Sequence, residues 1–140
     1  MEKEIKSAFE ITVKTKITEE QISAVIVGAM EGGSNYWYFV DTKEAKGLPP
    51  KKHDGSIDDC LTMRISRALV NDPEFSLPVR DLENRDEVLG VLTPESMKKA
   101  FEIAATEYPD AFQNIIQEND DANDADILFQ LAVMGELVFG

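Results

Sequence analysis

The most regular spacing of apolar residues lies near the start of the chain and predicts one amphipathic helix. Thr18 and Gln21 have the spacing of a capping box, in which two side chains bond each other's backbone N–H groups. Gly32 or Gly33 is expected to end the helix in the left-handed conformation. Gly28, with an alanine one turn before it, leaves room for a second backbone to approach. The predicted apolar face consists of Ile22, Val25, Ile26, Ala29 and Met30.

Alternating apolar and polar residues on either side of this helix predict two strands. Residues 9–13 alternate as in a half-buried strand that leads directly into the helix. The aromatic run at residues 36–40 predicts a strand with Trp37 and Phe39 on one face. The lysine- and proline-rich residues 41–56 then predict an exposed loop.

The middle of the chain predicts a helix followed by a hairpin. The helix is expected to end near residues 71–73, where Asn and Asp precede a proline. The hairpin strands are expected at residues 76–82 and 87–92, and Pro78 favours an edge or a bulge for the first of them. The apolar face of the helix consists of Ile57, Leu61, Ile65 and Leu69.

The last third of the chain predicts three helices and a final strand. Thr93 is a good N-cap for the first helix, and Pro109 separates it from a short second one. Asn123 is the expected cap of the last helix, whose nearly continuous apolar sequence predicts burial. Gly135 ends that helix, and residues 136–139 predict a terminal strand.

These elements predict a single α+β domain over residues 1–140, with a small mixed or antiparallel sheet packed against four or five helices. The chain is 43% hydrophobic, which argues against global disorder. Cys60 is the only cysteine, so neither a disulfide framework nor a cysteine metal cluster is expected. No apolar run has the length of a membrane span, and the charged N-terminus lacks a signal-peptide core, so a cytoplasmic location is expected.

The formal charge of −13 is unevenly distributed along the chain. From Glu83 onward there are thirteen acids and three bases, which places a charge of −10 in the C-terminal part. Such a surface repels nucleic acid and membrane phosphate and attracts a basic protein, although simple solubility also explains it. The predicted partner-binding residues are Glu118, Asp120, Asp121 and Asp124.

Two segments resemble a family of small proteins encoded by bacteriophages and prophages. They are EGGSNYW at residues 31–37 and DADILFQLAVMGELVFG at residues 124–140. In that family a similar glycine-aromatic segment is paired with a C-terminal GE-(I/L)-V-aromatic-G ending. The hairpin-then-helix order of residues 75–106 is similar in outline, whereas the lysine-proline loop departs from the pattern. The resemblance implies a phage accessory protein and no defined chemistry.

Two arrangements suggest catalysis or metal binding, and a structural interpretation is favoured for both. His53, the only histidine, could act as the base for Cys60 in a small hydrolase, but a solvated loop histidine and a packed cysteine are favoured. The acidic residues 120–126 invite a calcium interpretation. However, Ala125 and Asp126 occupy positions where an EF-hand needs an oxygen ligand and glycine, and carboxylates at a helix start explain the run.

A small polar pocket is the remaining candidate site. Asp126 and Gln130 lie one turn apart on an otherwise apolar helix, where they either bond the turn at residues 33–35 or line a pocket for a ligand such as a nucleotide. The predicted ligand-binding residues are Asn35, Tyr36, Asp126 and Gln130, and the lysines that could assist are Lys43, Lys46, Lys51 and Lys52.

The leading hypothesis is a non-enzymatic phage or mobile-element accessory protein that binds a basic host protein surface. In its narrowest form, the protein inhibits a nucleic-acid-handling or CRISPR-type defence factor by charge mimicry. The alternatives are a small-molecule or nucleotide-sequestering protein and, with least support, a small hydrolase. No cofactor, no direct nucleic-acid contact and no membrane contact are expected.

Overall fold

Residues 6–51 and 60–140 are described by a computed structural model, in which they form five α-helices and a three-stranded antiparallel sheet. The predicted α+β class is confirmed. Within these residues, no helix is long and apolar enough to cross a membrane. The helices are α1 (Glu19–Gly28), α2 (Leu61–Asn71), α3 (Pro94–Glu107), α4 (Pro109–Ile116) and α5 (Ala122–Met134), and the strands are β1 (Tyr38–Phe39), β2 (Leu77–Asp81) and β3 (Val88–Leu92).

Capping boxes fix the start of three helices. Thr18 caps α1 and exchanges hydrogen bonds with Gln21, as predicted, and Thr93 caps α3 in the same way. At α5 the predicted cap was wrong. Asp121 is the cap, because its carboxylate accepts the Asp124 N–H at 2.9 Å and the Asp124 carboxylate in turn accepts the Asp121 N–H at 3.1 Å.

The double glycine ends α1 differently from the prediction. Neither Gly32 nor Gly33 has a positive φ; instead the chain makes a π-helical turn at Ala29–Gly33. A Cβ on Gly33 would collide with the Ala122 carbonyl oxygen, so this glycine is needed for the close approach of the α5 N-terminus. The close approach predicted at Gly28 is also present, since a Cβ there would lie 2.8 Å from the Ala125 Cβ.

Helix α5 lies at the centre of the molecule, packed against α1, α3, α4 and β3. Its predicted burial is confirmed, and Gly135 ends it with a φ of 77°, as expected. Strand β3 lies so near that a Cβ on Gly90 would collide with the Val133 carbonyl oxygen. The buried apolar side chains form one cluster, to which all five helices of the described residues contribute.

The predicted hairpin is confirmed as β2 and β3. Strand β2 is the middle strand, but β1 pairs only with Arg80 and Asp81, so Pro78 is flanked by β3 alone. The register shifts between Val79 and Arg80, next to this proline. The shortness of β1 therefore leaves room for Pro78, which has no N–H to donate.

The aromatic segment around β1 differs from the prediction in which rings face the core. Tyr38, not Phe39, packs with Trp37 and Phe129, at centroid separations of 6.1 and 5.6 Å. Phe39 points the other way, where the Arg85 guanidinium lies 4.1 Å from its ring centroid. Trp37 lies before the two-residue strand, so strand alternation does not govern its orientation.

Two predicted strands were wrong, at residues 9–13 and 136–139. Both segments lie outside any strand, and residues 6–16 are exposed. Alternation makes a segment two-faced, but a strand also needs a neighbouring backbone to pair with. At the C-terminus the backbone N–H groups of Val138 and Phe139 bond the side chain of Gln130 instead.

Helix α2 agrees with its predicted face and end. Ile65 and Leu69 are buried, and the helix ends at Asn71. Ile57 and the first part of the predicted helix lie outside the described residues.

Candidate functional site

The best-defined polar cluster surrounds the carboxylate of Asp126 in α5, which is only 6% exposed. Its Oδ1 accepts hydrogen bonds from the Ser34 hydroxyl at 2.7 Å and from the Trp37 indole N–H at 2.8 Å. Its Oδ2 accepts from the Tyr36 hydroxyl at 2.7 Å and from the Gln130 amide at 3.1 Å. We call these five residues the Asp126 network. All four donors are neutral, so the buried charge is stabilised by hydrogen bonds.

Gln130, one turn after Asp126, connects this network to the C-terminal segment. Its Oε1 accepts the backbone N–H groups of Val138 and Phe139, both at 2.9 Å. Its amide nitrogen also lies 3.2 Å from the Phe139 carbonyl oxygen and 3.3 Å from the Tyr36 hydroxyl. One side chain therefore provides the hydrogen bonds that a neighbouring strand would otherwise supply.

The rings around the network form its apolar side. The Trp37 ring stacks on Phe139, with centroids 5.3 Å apart and planes 13° apart. On another side it packs against Phe129 of α5, at a centroid separation of 5.5 Å. The glycine-aromatic turn, α5 and the C-terminal segment are thus joined by both ring contacts and hydrogen bonds.

Tyr36 is the member of the network nearest to solvent. Its side chain is half exposed, whereas its hydroxyl lies against Asp126 and the end of the chain. Burial of the hydroxyl, its hydrogen bond to the Asp126 carboxylate and the negative charge of that carboxylate raise the pKa of Tyr36 to about 12. The phenol consequently remains a neutral donor at all physiological pH values.

The structure brings together three of the four predicted ligand-binding residues. Tyr36, Asp126 and Gln130 share hydrogen bonds, whereas Asn35 is exposed and outside the network. In the described parts of the chain, every buried side-chain nitrogen or oxygen has a hydrogen-bond partner. The network therefore joins parts of the chain and leaves no buried donor or acceptor directed at a ligand.

Sequence reasoning missed Ser34 and Trp37 as partners of Asp126. It expected Asp126 to bond the backbone of the turn or to face a pocket, but the carboxylate bonds three side chains of the turn segment. A signal was available, because a buried tryptophan needs an acceptor for its indole N–H. The aspartate on an apolar helix is the natural acceptor.

The four predicted partner-binding acids occupy different environments. Asp124 is only 7% exposed, and its carboxylate accepts the Asn114 side-chain amide and the Asp121 N–H, both at 3.1 Å. Asp121 caps α5 yet is exposed, Asp120 is partly exposed, and Glu118 is exposed with a φ of 57°. Residues 118–121, which we call the acidic loop, therefore present three carboxylates to solvent.

The other candidate residues do not form a common site in the described regions. Cys60 is partly buried just before α2, with its Sγ 3.5 Å from the Thr62 hydroxyl. Lys43, Lys46 and Lys51 are exposed, while Lys52 and His53 lie outside the described residues. Across residues 6–51 and 60–140, no group of three or more His, Cys, Asp or Glu side chains is arranged to hold a metal ion.

An apolar cavity of about 330 Å³ lies away from the Asp126 network. Residues from α1, α2, α3 and α4 line it, and Ile22, Leu69 and Phe101 are among them. Val13, Thr15 and Ile17, which precede α1, form its remaining wall. The sequence did not predict this cavity.

Comparison of the chain with protein-family models, with curated proteins and with solved structures gave no match.

Proposed function

We propose that this protein is a non-enzymatic binding protein whose acidic loop docks on a basic surface of another protein. The supporting observation is that the acids near the start of α5 fall into a buried group and an exposed group. Asp124 and Asp126 are buried and hydrogen-bonded inside the fold, whereas Glu118, Asp120 and Asp121 lie at the surface. The capping box at Asp121 anchors this loop to α5, so the loop carboxylates are attached to a rigid element.

Charge provides the second argument for a basic partner. The formal charge is −13, and the C-terminal part from Glu83 carries −10 of it. The field of such a surface accelerates encounters with a positively charged protein and opposes contact with nucleic acid or anionic lipid. A basic protein that normally holds nucleic acid fits this description, and the acidic loop would then occupy the surface where phosphates bind.

The resemblance to phage-encoded proteins narrows the proposal further. It favours a bacterial cytoplasm as the place of action and a host nucleic-acid-handling or defence factor as the target. This narrower form depends on the resemblance, whereas the binding of a basic surface depends on the distribution of exposed acids. The nucleotide-binding alternative has less support, because the buried polar groups of Asp126 and Gln130 are already paired.

The test is affinity capture from a bacterial lysate, followed by titration of the purified partner with a charge-neutralised variant. The variant combines Glu118→Gln, Asp120→Asn and Asp121→Asn. Asparagine is as good an N-cap as aspartate, so α5 is expected to keep its start. We expect binding to weaken about tenfold or more, and wild-type affinity to fall steeply between roughly 50 and 300 mM salt.

A matched control removes the same charge elsewhere, through Glu83→Gln, Glu102→Gln and Glu107→Gln. These three side chains are exposed and lie outside the acidic loop. The control is expected to bind within about threefold of wild type, since screening confines most of the effect to nearby charges. Equal weakening by both variants, or an affinity that does not change with salt, would refute a docking site at the acidic loop.

A further inference from the structure

The segment before α1 exposes apolar residues in a pattern that the fold itself does not use. We call residues 6–17 the arm. Phe9, Ile11 and Val13 are 80%, 76% and 72% exposed, which are the highest values among the large exposed apolar residues of the described chain. Within the described ranges, no backbone hydrogen bond links the arm to another element. The outer part of the arm therefore exposes its apolar face, while Ile17 at its base packs against the core.

The base of the arm shows which way this face points. Val13, Thr15 and Ile17 line the apolar cavity, whereas the residues between them do not. This alternation is that of an extended segment with its odd-numbered side chains directed at the cavity. Phe9 and Ile11 belong to the same odd-numbered set. They lie nearer the N-terminus than Val13, and they do not line the cavity of their own chain.

We propose that the arms of two copies of this chain pair antiparallel about Thr12 and so form a homodimer. In this register Glu10 of each copy faces Lys14 of the other, which gives two ion pairs on the even-numbered face. On the odd-numbered face, Phe9 and Ile11 of one copy stand beside Thr15 and Val13 of the other. Since those two residues line the cavity, the partner's apolar side chains are placed over it.

The occupant is a second copy because the arm complements itself in both charge and pattern. Residues 6–17 contain three lysines and one glutamate, a charge of +2 in a chain of −13. The complementarity in charge therefore comes from the two Glu10–Lys14 pairs, which offset repulsion between two arms of the same net charge. The register about Thr12 satisfies the ion pairs, the alternation and the apolar cavity together. Pairing about Val13 would set Glu10 opposite Lys16 instead, so the effect of Lys14→Glu distinguishes the two registers.

The proposal is tested by sedimentation equilibrium of the full chain from about 1 to about 300 μM, at constant ionic strength. Glu10→Lys and Lys14→Glu are each expected to weaken dimerisation roughly tenfold, because each places two like-charged pairs across the arms. In the double variant Glu10→Lys/Lys14→Glu, the dissociation constant of the dimer is expected to lie within about threefold of the wild-type value. The two single changes alter the net charge of the chain in opposite directions. A general charge effect would therefore strengthen the dimer in one variant and weaken it in the other, whereas loss of the ion pairs weakens it in both.

Two further variants test the apolar face. Phe9→Ser is expected to weaken the dimer at least tenfold, whereas Val70→Ser, at an exposed valine of α2, is expected to leave it unchanged. Both positions are exposed, so both variants are expected to fold. A dimer that is indifferent to Phe9→Ser would overturn the proposal.

The register has its own test in a Cys60→Ser background. Thr12→Cys is expected to form a disulfide-linked dimer under mild oxidation, because paired Cβ atoms lie about 4.5–5.5 Å apart. Thr15→Cys is not expected to form this disulfide. In the proposed register the two introduced cysteines would be separated by six residues along the paired arms, which is about 20 Å. A wild-type chain that remains monomeric over the whole range, or a double charge variant that fails to recover, would refute the proposal.

Discussion

The Asp126 network and the arm use their side chains in opposite ways. The network buries a carboxylate and an amide, and pairs each of their atoms with a partner inside the chain. The arm exposes three large apolar side chains, and its backbone bonds no other element in the described regions. Residues that looked chemically active are thus structural, whereas residues that looked like core are available for association.

This contrast bears directly on function. A polar cluster in which every donor and acceptor is paired has nothing left with which to hold a substrate, and its effect is to stabilise one arrangement of the chain. The surfaces that we propose to act on another molecule are instead the ones whose side chains are exposed, the acidic loop and the arm.

The largest effect is expected from Asp126→Asn. The amide retains one acceptor oxygen and turns an NH₂ group toward donors, so buried donors of the network lose their partner. Unpaired buried donors cost about 1–3 kcal/mol each, and we expect the free energy of unfolding to fall by about 3 kcal/mol or more. Urea denaturation measures this change. Glu102→Gln, which removes one exposed charge, is expected to stay within about 0.5 kcal/mol, and equal effects of the two would contradict the structural role of Asp126.

The adjacent glycines of the turn provide the next comparison. Gly33→Ala is expected to destabilise the fold by about 2–3 kcal/mol, because its Cβ would meet the Ala122 carbonyl oxygen. Gly32→Ala meets no atom within 4 Å and is expected to stabilise the protein by about 0.5 kcal/mol, through reduced freedom of the unfolded chain. Thermal unfolding of both variants tests the difference. If the two alanine variants unfolded alike, the close approach of α5 would be wrong.

These glycines also show what local sequence can and cannot predict. The capping box at Thr18 and the N-cap at Thr93 were predicted, since each depends on residues close in sequence. The requirement for Gly33 was not, because it arises from Ala122, which is distant in sequence. The left-handed ending was expected from the helix alone, whereas the structure has a π-helical turn that packs against α5.

The membership of the candidate site was predictable only in part, and its geometry was not. Tyr36, Asp126 and Gln130 were identified because polar residues stand out in apolar surroundings, and the structure does bring them together. That the carboxylate would be fully paired depended on Ser34 and Trp37, whose orientations follow from packing on α5. Alternation at residues 9–13 predicted a two-faced segment but could not reveal that no strand lies beside it.

A smaller and pH-dependent effect is expected from Tyr36→Phe. The folded-state pKa of Tyr36 is raised to about 12, above the value near 10 of an unfolded chain. The unfolded state therefore loses this proton first as the pH rises, and stability due to Tyr36 is full below pH 10 and lost through about pH 12. Removing the hydroxyl is expected to cost about 1 kcal/mol at neutral pH and to flatten the decline between pH 10 and 12.

Ultraviolet titration of the tyrosines, combined with denaturation at each pH, measures both effects. Tyr108→Phe is the control, since it removes a phenol outside the network. If the group lost in Tyr36→Phe ionised near pH 10, the hydroxyl would not be bonded to Asp126 in solution.

The smallest effect on stability is expected at the arm, from Ile11→Ala measured at a concentration too low for association. Ile115→Ala, the same change at a fully buried isoleucine of α4, provides the scale and is expected to cost about 2–5 kcal/mol. Ile11 is 76% exposed, so its truncation is expected to change the free energy of unfolding by less than about 0.5 kcal/mol. A cost above 1 kcal/mol in dilute solution would mean that the arm packs against its own chain. A negligible cost would mean that the apolar face of the arm does not pack against its own chain and is accessible to a second molecule. The polar groups of the Asp126 network, by contrast, are already paired within the chain.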